Sequence, residues 1–341
     1  MEAGSIRRVV VVGAGLMGHG IALEFAVAGF EVGLCDLSEE KLAEAVEQIK
    51  GTLELLSSMG QLKEEEILPA VERISVSAQL SRLVSDADLA IESVVEDLDV
   101  KGGVFEELDQ LCPEKTILAS NSSSFMPSRL ATFTRRPTRV LVSHYFNPPY
   151  LLPVVEVVPS SETDSDVVAT MFELLRSMGK HPVLVRKEAP GFIGNRLQAA
   201  LVREALSLVQ QGIASPKDID LVIKSGFGRR YAAAGAFEIF DVAGWDLVRA
   251  VAAELMPVIE SSTGIPPILE KKVKNGELGV KSGRGFYEWT PESAAALQRR
   301  MAGVLLSLRQ VFGETPKRKE PSQPSAPTHL SEPSGDSVTE A

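Results

Sequence analysis

Val9-Val10-Val11-Val12-Gly13-Ala14-Gly15-Leu16-Met17-Gly18 is the stretch that decides the fold. Four β-branched residues form a short strand pattern that stops at a glycine. Beyond Gly18 the apolar Ile21, Phe25 and Ala28 recur at helical spacing up to Gly29. The glycines therefore stand between a strand and a helix, the setting in which a G-x-G-x-x-G carries meaning. There Gly13 permits the tight turn, Gly15 leaves room for a pyrophosphate against the backbone, and Gly18 lets the helix pack near the strand with its N-terminal amides facing the anion. Leu16 and Met17 complete the loop. A second strand pattern over residues 30–36 ends on Asp36, where a carboxylate can accept hydrogen bonds from an adenosine ribose and repel a 2′-phosphate. NAD is expected rather than NADP.

Working outward, Ser38 followed by Glu39 and Glu40 reads as a helix start. Apolar runs at 89–95, 116–119, 140–142, 154–158 and 183–185 alternate with polar helical or turn segments. That alternation predicts an α/β chain: an N-terminal Rossmann-type doubly wound parallel sheet over residues 1–188, followed by a smaller all-helical domain over 189–314. In the second part Ser215-Pro216-Lys217-Asp218 has the form of a helix start, and Gly226, Gly235, Gly244 and Gly264 divide the rest into short helices. Residues 315–341 are rich in proline, serine and charge with almost no apolar content, so a disordered tail is expected there.

Composition excludes other classes. With 46 acidic against 35 basic residues the net charge is -11, which disfavours nucleic acid and anionic membranes as partners. Two distant cysteines and four scattered histidines give neither a disulfide framework nor metal-ligand spacing, so no metal is expected. Arg7 and Arg8 precede an apolar stretch in the manner of an export signal, but His19 and Glu24 interrupt it, and a cytoplasmic protein is expected.

Several polar residues directly follow predicted strands: Glu96, Asn121 to Ser124, and His144. In an open parallel sheet these ends line the ligand crevice. Glu156 differs, because it interrupts the apolar Leu152-Pro153-Val154-Val155-Glu156-Val157-Val158. An ionised acid there needs either a partner or a wet sheet edge. His144 is the nearest sensible partner, and a carboxylate on one imidazole nitrogen makes the other a base suited to alcohol oxidation. Asn195, near the start of a predicted helix, reads equally as a capping or packing amide.

Together GAGLMG at 13–18, ASNSSS at 119–124, HYFNPP at 144–149, VVEVV at 154–158, PGFIGNRL at 190–197 and GVKSGRGFYEW at 279–289 resemble the L-3-hydroxyacyl-CoA dehydrogenase family. FMPSRLA at 125–131 and GFGRRYAAAGAFE at 226–238 are similar to its lambda-crystallin and L-gulonate 3-dehydrogenase branch, and GVKSGRGFYEWTPE at 279–292 also suits a branch acting on a pyridoxine-degradation intermediate. The resemblance implies His144 as general base, Glu156 as its orienting partner, Ser123 on the substrate oxygen and Asn195 on the substrate carbonyl region. It also implies Glu96 and Lys101 beside the nicotinamide ribose, with Asn121 and Asn147 near the cofactor.

The activity so implied is NAD-dependent oxidation of an L-3-hydroxyacyl-CoA to the 3-ketoacyl-CoA in fatty-acid metabolism, by a homodimer. The alternatives are a free hydroxy acid of the L-gulonate or L-carnitine type, and a catalytically idle crystallin-like binding protein. For CoA phosphates the candidate cations are Lys50 and Lys63; for a free carboxylate, Arg229 and Arg230.

Overall fold

The structure, a computed structural model, describes residues 3–313. The tail expected beyond residue 315 lies outside them. The first half alternates as predicted: β1 (Arg8–Val12), α1 (Gly18–Val27), β2 (Glu31–Cys35), α2 (Glu39–Ser58), α3 (Ile67–Glu72), β3 (Ile74–Ser77), β4 (Leu89–Glu92), α4 (Leu98–Leu111), β5 (Ile117–Ser120), α5 (Pro127–Ala131), β6 (Val140–Tyr145), β7 (Val154–Pro159), α6 (Ser165–Ser177) and β8 (His181–Leu184). They form one eight-stranded sheet in the order β3-β2-β1-β4-β5-β6-β7-β8. Every pairing is parallel except β6 with β7, which is antiparallel.

The strand order reverses between β1 and β4, so the glycine loop after β1 opens at the switch point, where such sheets bind their ligands. Successive residues of β1 face opposite sides, and helices cover both. Val9 and Val11 join the core beneath α1, α2 and α6; Val10 and Val12 join the core beneath α4 and α5. This two-sided burial is why the strands read as continuous apolar runs.

The helical part contains α7 (Gly194–Gln210), α8 (Pro216–Ser225), α9 (Phe227–Tyr231), α10 (Ala236–Ala243), α11 (Trp245–Leu255), α12 (Pro267–Lys274) and α13 (Pro291–Val311). Ser215 caps α8 as its sequence implied, its hydroxyl accepting from the Asp218 amide at 3.2 Å. Between α12 and α13 the chain makes two isolated antiparallel bridges, Gly279 with Arg284 and Arg284 with Glu288, where only helix was expected. The second departure is α13, placed by the sequence reading in the helical domain. Leu306 is buried in the sheet's own core, Ala302 and Leu305 pack beside it, and Arg309 Nη1 donates to Tyr150 O at 2.9 Å. The last helix thus returns to the first half of the molecule.

Candidate active site

Gly13 has a φ of 104°, and a Cβ there would lie 2.5 Å from Ser93 O. Only glycine allows β1 to turn this tightly against the end of β4. A Cβ on Gly18 would lie 1.7 Å from Gly13 O, so the start of α1 sits directly on the turn. Above Gly15 nothing comes within 4 Å of the corresponding position, leaving its backbone open to a ligand. Asp36 tightens the loop, accepting from the Ala14 amide at 3.0 Å and the Ser38 amide at 3.1 Å. Leu16 stands 68% exposed at the loop's tip. These features fit a dinucleotide with its phosphates over Gly15 and the N-terminal end of α1.

Next to this loop lies a set of charges. Glu92, the last residue of β4, is fully buried, a group the sequence reading passed over. Its Oε1 meets Lys101 Nζ at 2.8 Å and its Oε2 accepts from Ser120 Oγ at 2.6 Å. Lys101, from α4, is also buried and reaches Glu96 Oε2 at 3.1 Å. The other oxygen of Glu96 accepts from Ser122 Oγ at 2.6 Å, from Ser124 Oγ at 2.7 Å and from the Ser123 and Ser124 amides at 3.1 and 2.9 Å. Burial alone would raise the Glu96 carboxyl; the serines and Lys101 outweigh it and hold it below its ordinary value. Lys101 therefore ties two carboxylates together, and Glu96 fixes the loop that carries Ser123. Asn121, also buried, accepts from the Tyr145 amide at 2.9 Å and so joins the ends of β5 and β6.

His144 lies within β6 rather than after it, because that strand continues to Tyr145. Its register partner across the antiparallel pair is Glu156. Directly opposed residues share a face of the sheet with Cβ atoms about 5 Å apart, and here His144 Nδ1 lies 2.7 Å from Glu156 Oε2. Both side chains are nearly sealed, at 4% and 2% exposed, and β7 is an inner strand, so the wet-edge alternative for Glu156 does not hold. Glu156 Oε1 accepts the Ile193 and Gly194 amides, each at 2.9 Å. Burial raises this carboxyl, while His144 and the two amides lower it by more, leaving it below the usual range.

The segment leading into α7 is shaped for that contact. Phe192 holds a φ of 51°, unusual for a bulky residue, and its buried ring lies 5.6 Å from the imidazole. The Phe146 ring also packs against His144, at 5.0 Å, and a Cβ on Gly194 would come within 2.4 Å of that ring. Glycine at 194 thus lets both the ring and the amide reach the pair.

The Glu156 carboxylate places the proton on Nδ1, so Nε2 presents a lone pair, towards which Ser123 Oγ donates at 3.3 Å. Asn195 Nδ2 donates to Ser123 O at 3.2 Å, connecting α7 with the serine loop. Ser123, His144, Glu156 and Asn195 are thus brought together from four separate segments. A base held in this way can accept a proton from an alcohol placed beside Ser123. Asn147 is exposed and lines a different cavity, of about 390 Å³, with Leu16, His19 and the inner face of α13.

Ser123 and Asn195 open onto a cleft of about 950 Å³ between α7 and residues 262–269. Arg229 and Arg230, suggested above for a carboxylate, lie on α9 outside this lining; Arg229 Nε donates to Lys224 O. Lys50 pairs with Glu47 on α2, and Lys63 with Glu65, both on open surface.

Comparison with known proteins gives two family matches: 3-hydroxyacyl-CoA dehydrogenase, NAD binding domain, over residues 8–189, and 3-hydroxyacyl-CoA dehydrogenase, C-terminal domain, over residues 191–289. A 5-formyl-3-hydroxy-2-methylpyridine 4-carboxylate 5-dehydrogenase of Mesorhizobium japonicum is 32% identical over 90% of this chain and 98% of its own. A probable 3-hydroxybutyryl-CoA dehydrogenase of Bacillus subtilis is 36% identical over 85% and 99%. A solved structure of a 5-formyl-3-hydroxy-2-methylpyridine 4-carboxylic acid 5-dehydrogenase, described as an NAD+ dependent dismutase, superposes with a TM-score of 0.85 at 31% identity, covering 92% of this chain and all of that one.

Proposed function

The chain belongs to the 3-hydroxyacyl-CoA dehydrogenase family, and from that premise we propose that it oxidises the hydroxyl of a 3-hydroxyacyl substrate to the ketone, with His144 as general base. The observation that carries this reading is the 2.7 Å pairing of His144 Nδ1 with buried Glu156, which leaves Nε2 free beside Ser123. NAD supplies the hydride acceptor when bound, with Gly13, Gly15, Leu16, Met17 and Gly18 around its phosphates and Asp36 at its adenosine ribose. Ser123 Oγ holds the substrate oxygen within reach of Nε2. His144 takes the hydroxyl proton during oxidation and returns it in the reverse direction, and Glu156 stabilises the imidazolium so formed. Asn195 fixes the serine loop and faces the substrate's carbonyl side. Glu96 and Lys101 keep that loop rigid next to the nicotinamide ribose.

A CoA thioester is the first substrate class, with its place in fatty-acid breakdown. A free hydroxy acid is the second, and the full-length likeness to a dehydrogenase of a pyridine carboxylate favours a substrate that carries no CoA. Following NADH absorbance with NAD and a panel of L-3-hydroxyacyl-CoA esters, L-gulonate and L-carnitine tests both. Turnover of any of them supports the reading; NAD binding with no hydride transfer to or from any hydroxy or keto compound would point to an idle scaffold instead.

The working form we propose is a dimer. Between residues 194 and 290 only Leu206 and Ser207 are buried, while Phe237, Val242, Met256 and Val258 are each at least 65% exposed. Apolar surface on this scale calls for a cover, and a second copy of the chain is the expected one. Sedimentation velocity at micromolar concentration should give twice the mass of the chain; a monomer across the accessible range would overturn it.

A further inference from the structure

The cleft beside Ser123 and Asn195 is polar at its catalytic end and then apolar, with Ala199, Ala200 and Leu206 on one wall and Ile265, Pro266 and Leu269 on the other. Among the described residues its charged lining side chains are Arg196 and Arg203. Neither forms an ion pair among the described residues: Arg196 donates to Pro190 O at 3.3 Å and Arg203 to Ser262 O at 3.4 Å. Arg203 is half-buried, and among the described residues its enclosed Nε has no hydrogen-bond partner. A guanidinium that lines a cleft with only a backbone carbonyl as partner and no counter-ion keeps its fork available for a planar anion. The nearby acid Glu260 is engaged elsewhere, accepting from the Ser262 amide at 2.7 Å and from Ser207 Oγ at 3.4 Å.

Helix geometry sets the spacing. Asn195, Ala199, Val202, Arg203 and Leu206 follow one another along the cleft side of α7. Eight residues place Arg203 about 12 Å along the axis from Asn195, and helical side chains lean back towards the N-terminus. The cationic end and the catalytic end are therefore separated by several atoms of substrate with an apolar stretch between them.

We propose that Arg203, supported by Arg196, binds a substrate carboxylate remote from the hydroxyl that His144 deprotonates. This rests on the dehydrogenase reading above and narrows it to anionic substrates. Two sources carry that chemistry, a free hydroxy acid with a second carboxylate and an acyl thioester whose chain ends in one.

The test compares kcat/KM for L-3-hydroxyadipyl-CoA against L-3-hydroxyhexanoyl-CoA, which differ only in a terminal carboxylate, and for the corresponding pair of free acids. A parallel calorimetric titration follows adipate binding to the NADH-loaded protein. The unaltered protein should favour the terminal carboxylate by roughly 30-fold, the scale of one charge-assisted contact. R203M should bring that ratio close to one, and R203K should fall between. Preference within the thioester pair identifies the acyl chain as the source; preference within the free pair alone identifies the free acid. Equal ratios in the unaltered protein and R203M overturn the proposal while leaving the dehydrogenase reading intact. If no compound is oxidised, that reading fails on its own. Adipate binding lost in R203M would still support the anion site, and binding that is absent or unchanged would overturn it. Should R203M not fold, R203Q takes its place, with circular dichroism as the check.

Discussion

Replacing His144 by alanine lowers turnover by about a thousandfold while NADH affinity, read by fluorescence titration, stays within about twofold. The size follows from what is removed. General-base catalysis by a positioned imidazole contributes roughly 10²–10⁴ in rate, and Ser123 alone is too weak a base to replace it. Cofactor affinity is spared because the glycine loop and Asp36 are built from β1, α1 and the end of β2, whereas the imidazole is held by Ser123, Phe146, Glu156 and Phe192. Comparable losses in turnover and NADH affinity in His144→Ala would make the histidine a packing residue.

How much of this could be read beforehand depends on whether the determining interactions are local. The glycine loop and the Ser38 and Ser215 helix starts are settled within a few residues, and each is found where the pattern puts it. Glu156 was legible for a different reason: an acid in an apolar strand is improbable without a partner, so its oddity alone pointed to His144. The antiparallel register that opposes the two could not be read, because it depends on where the intervening turn places β7. Strand β3 went unnoticed since Ile74–Ser77 is a short edge element with little burial to impose a pattern. Glu92 was missed for want of its partner, Lys101, nine residues on and across a loop. Arg203 looks like any surface arginine on α7 until residues 262–269 fold opposite it. Nor does the sequence of α13 show that its apolar side is complementary to the sheet's core rather than to its helical neighbours.

Glu156→Gln separates charge from shape at the centre of the site. The glutamine has the same outline, and its carbonyl oxygen can still accept the Ile193 and Gly194 amides, so the start of α7 keeps its place. The amide nitrogen then faces His144 Nδ1 as a donor. Two donors cannot share that contact, so the imidazole proton moves to Nε2, and the nitrogen facing Ser123 and the substrate ceases to be a base. Turnover should fall by about 10²–10⁴, with a far smaller change in NADH affinity. Acid stability supplies an independent reading. The Glu156 carboxyl is held below its ordinary 4.5 in the folded protein, so the unfolded chain binds the proton more readily. Its contribution to stability is complete above that ordinary value and is lost as pH falls through the lower folded one. Urea midpoints between about pH 5 and pH 3 should therefore drop more steeply for the unaltered protein than for Glu156→Gln, with Glu96 adding the same slope to both. Equal slopes, or a variant that keeps its turnover, would remove the buried carboxylate from the mechanism and leave His144 without its orienting charge.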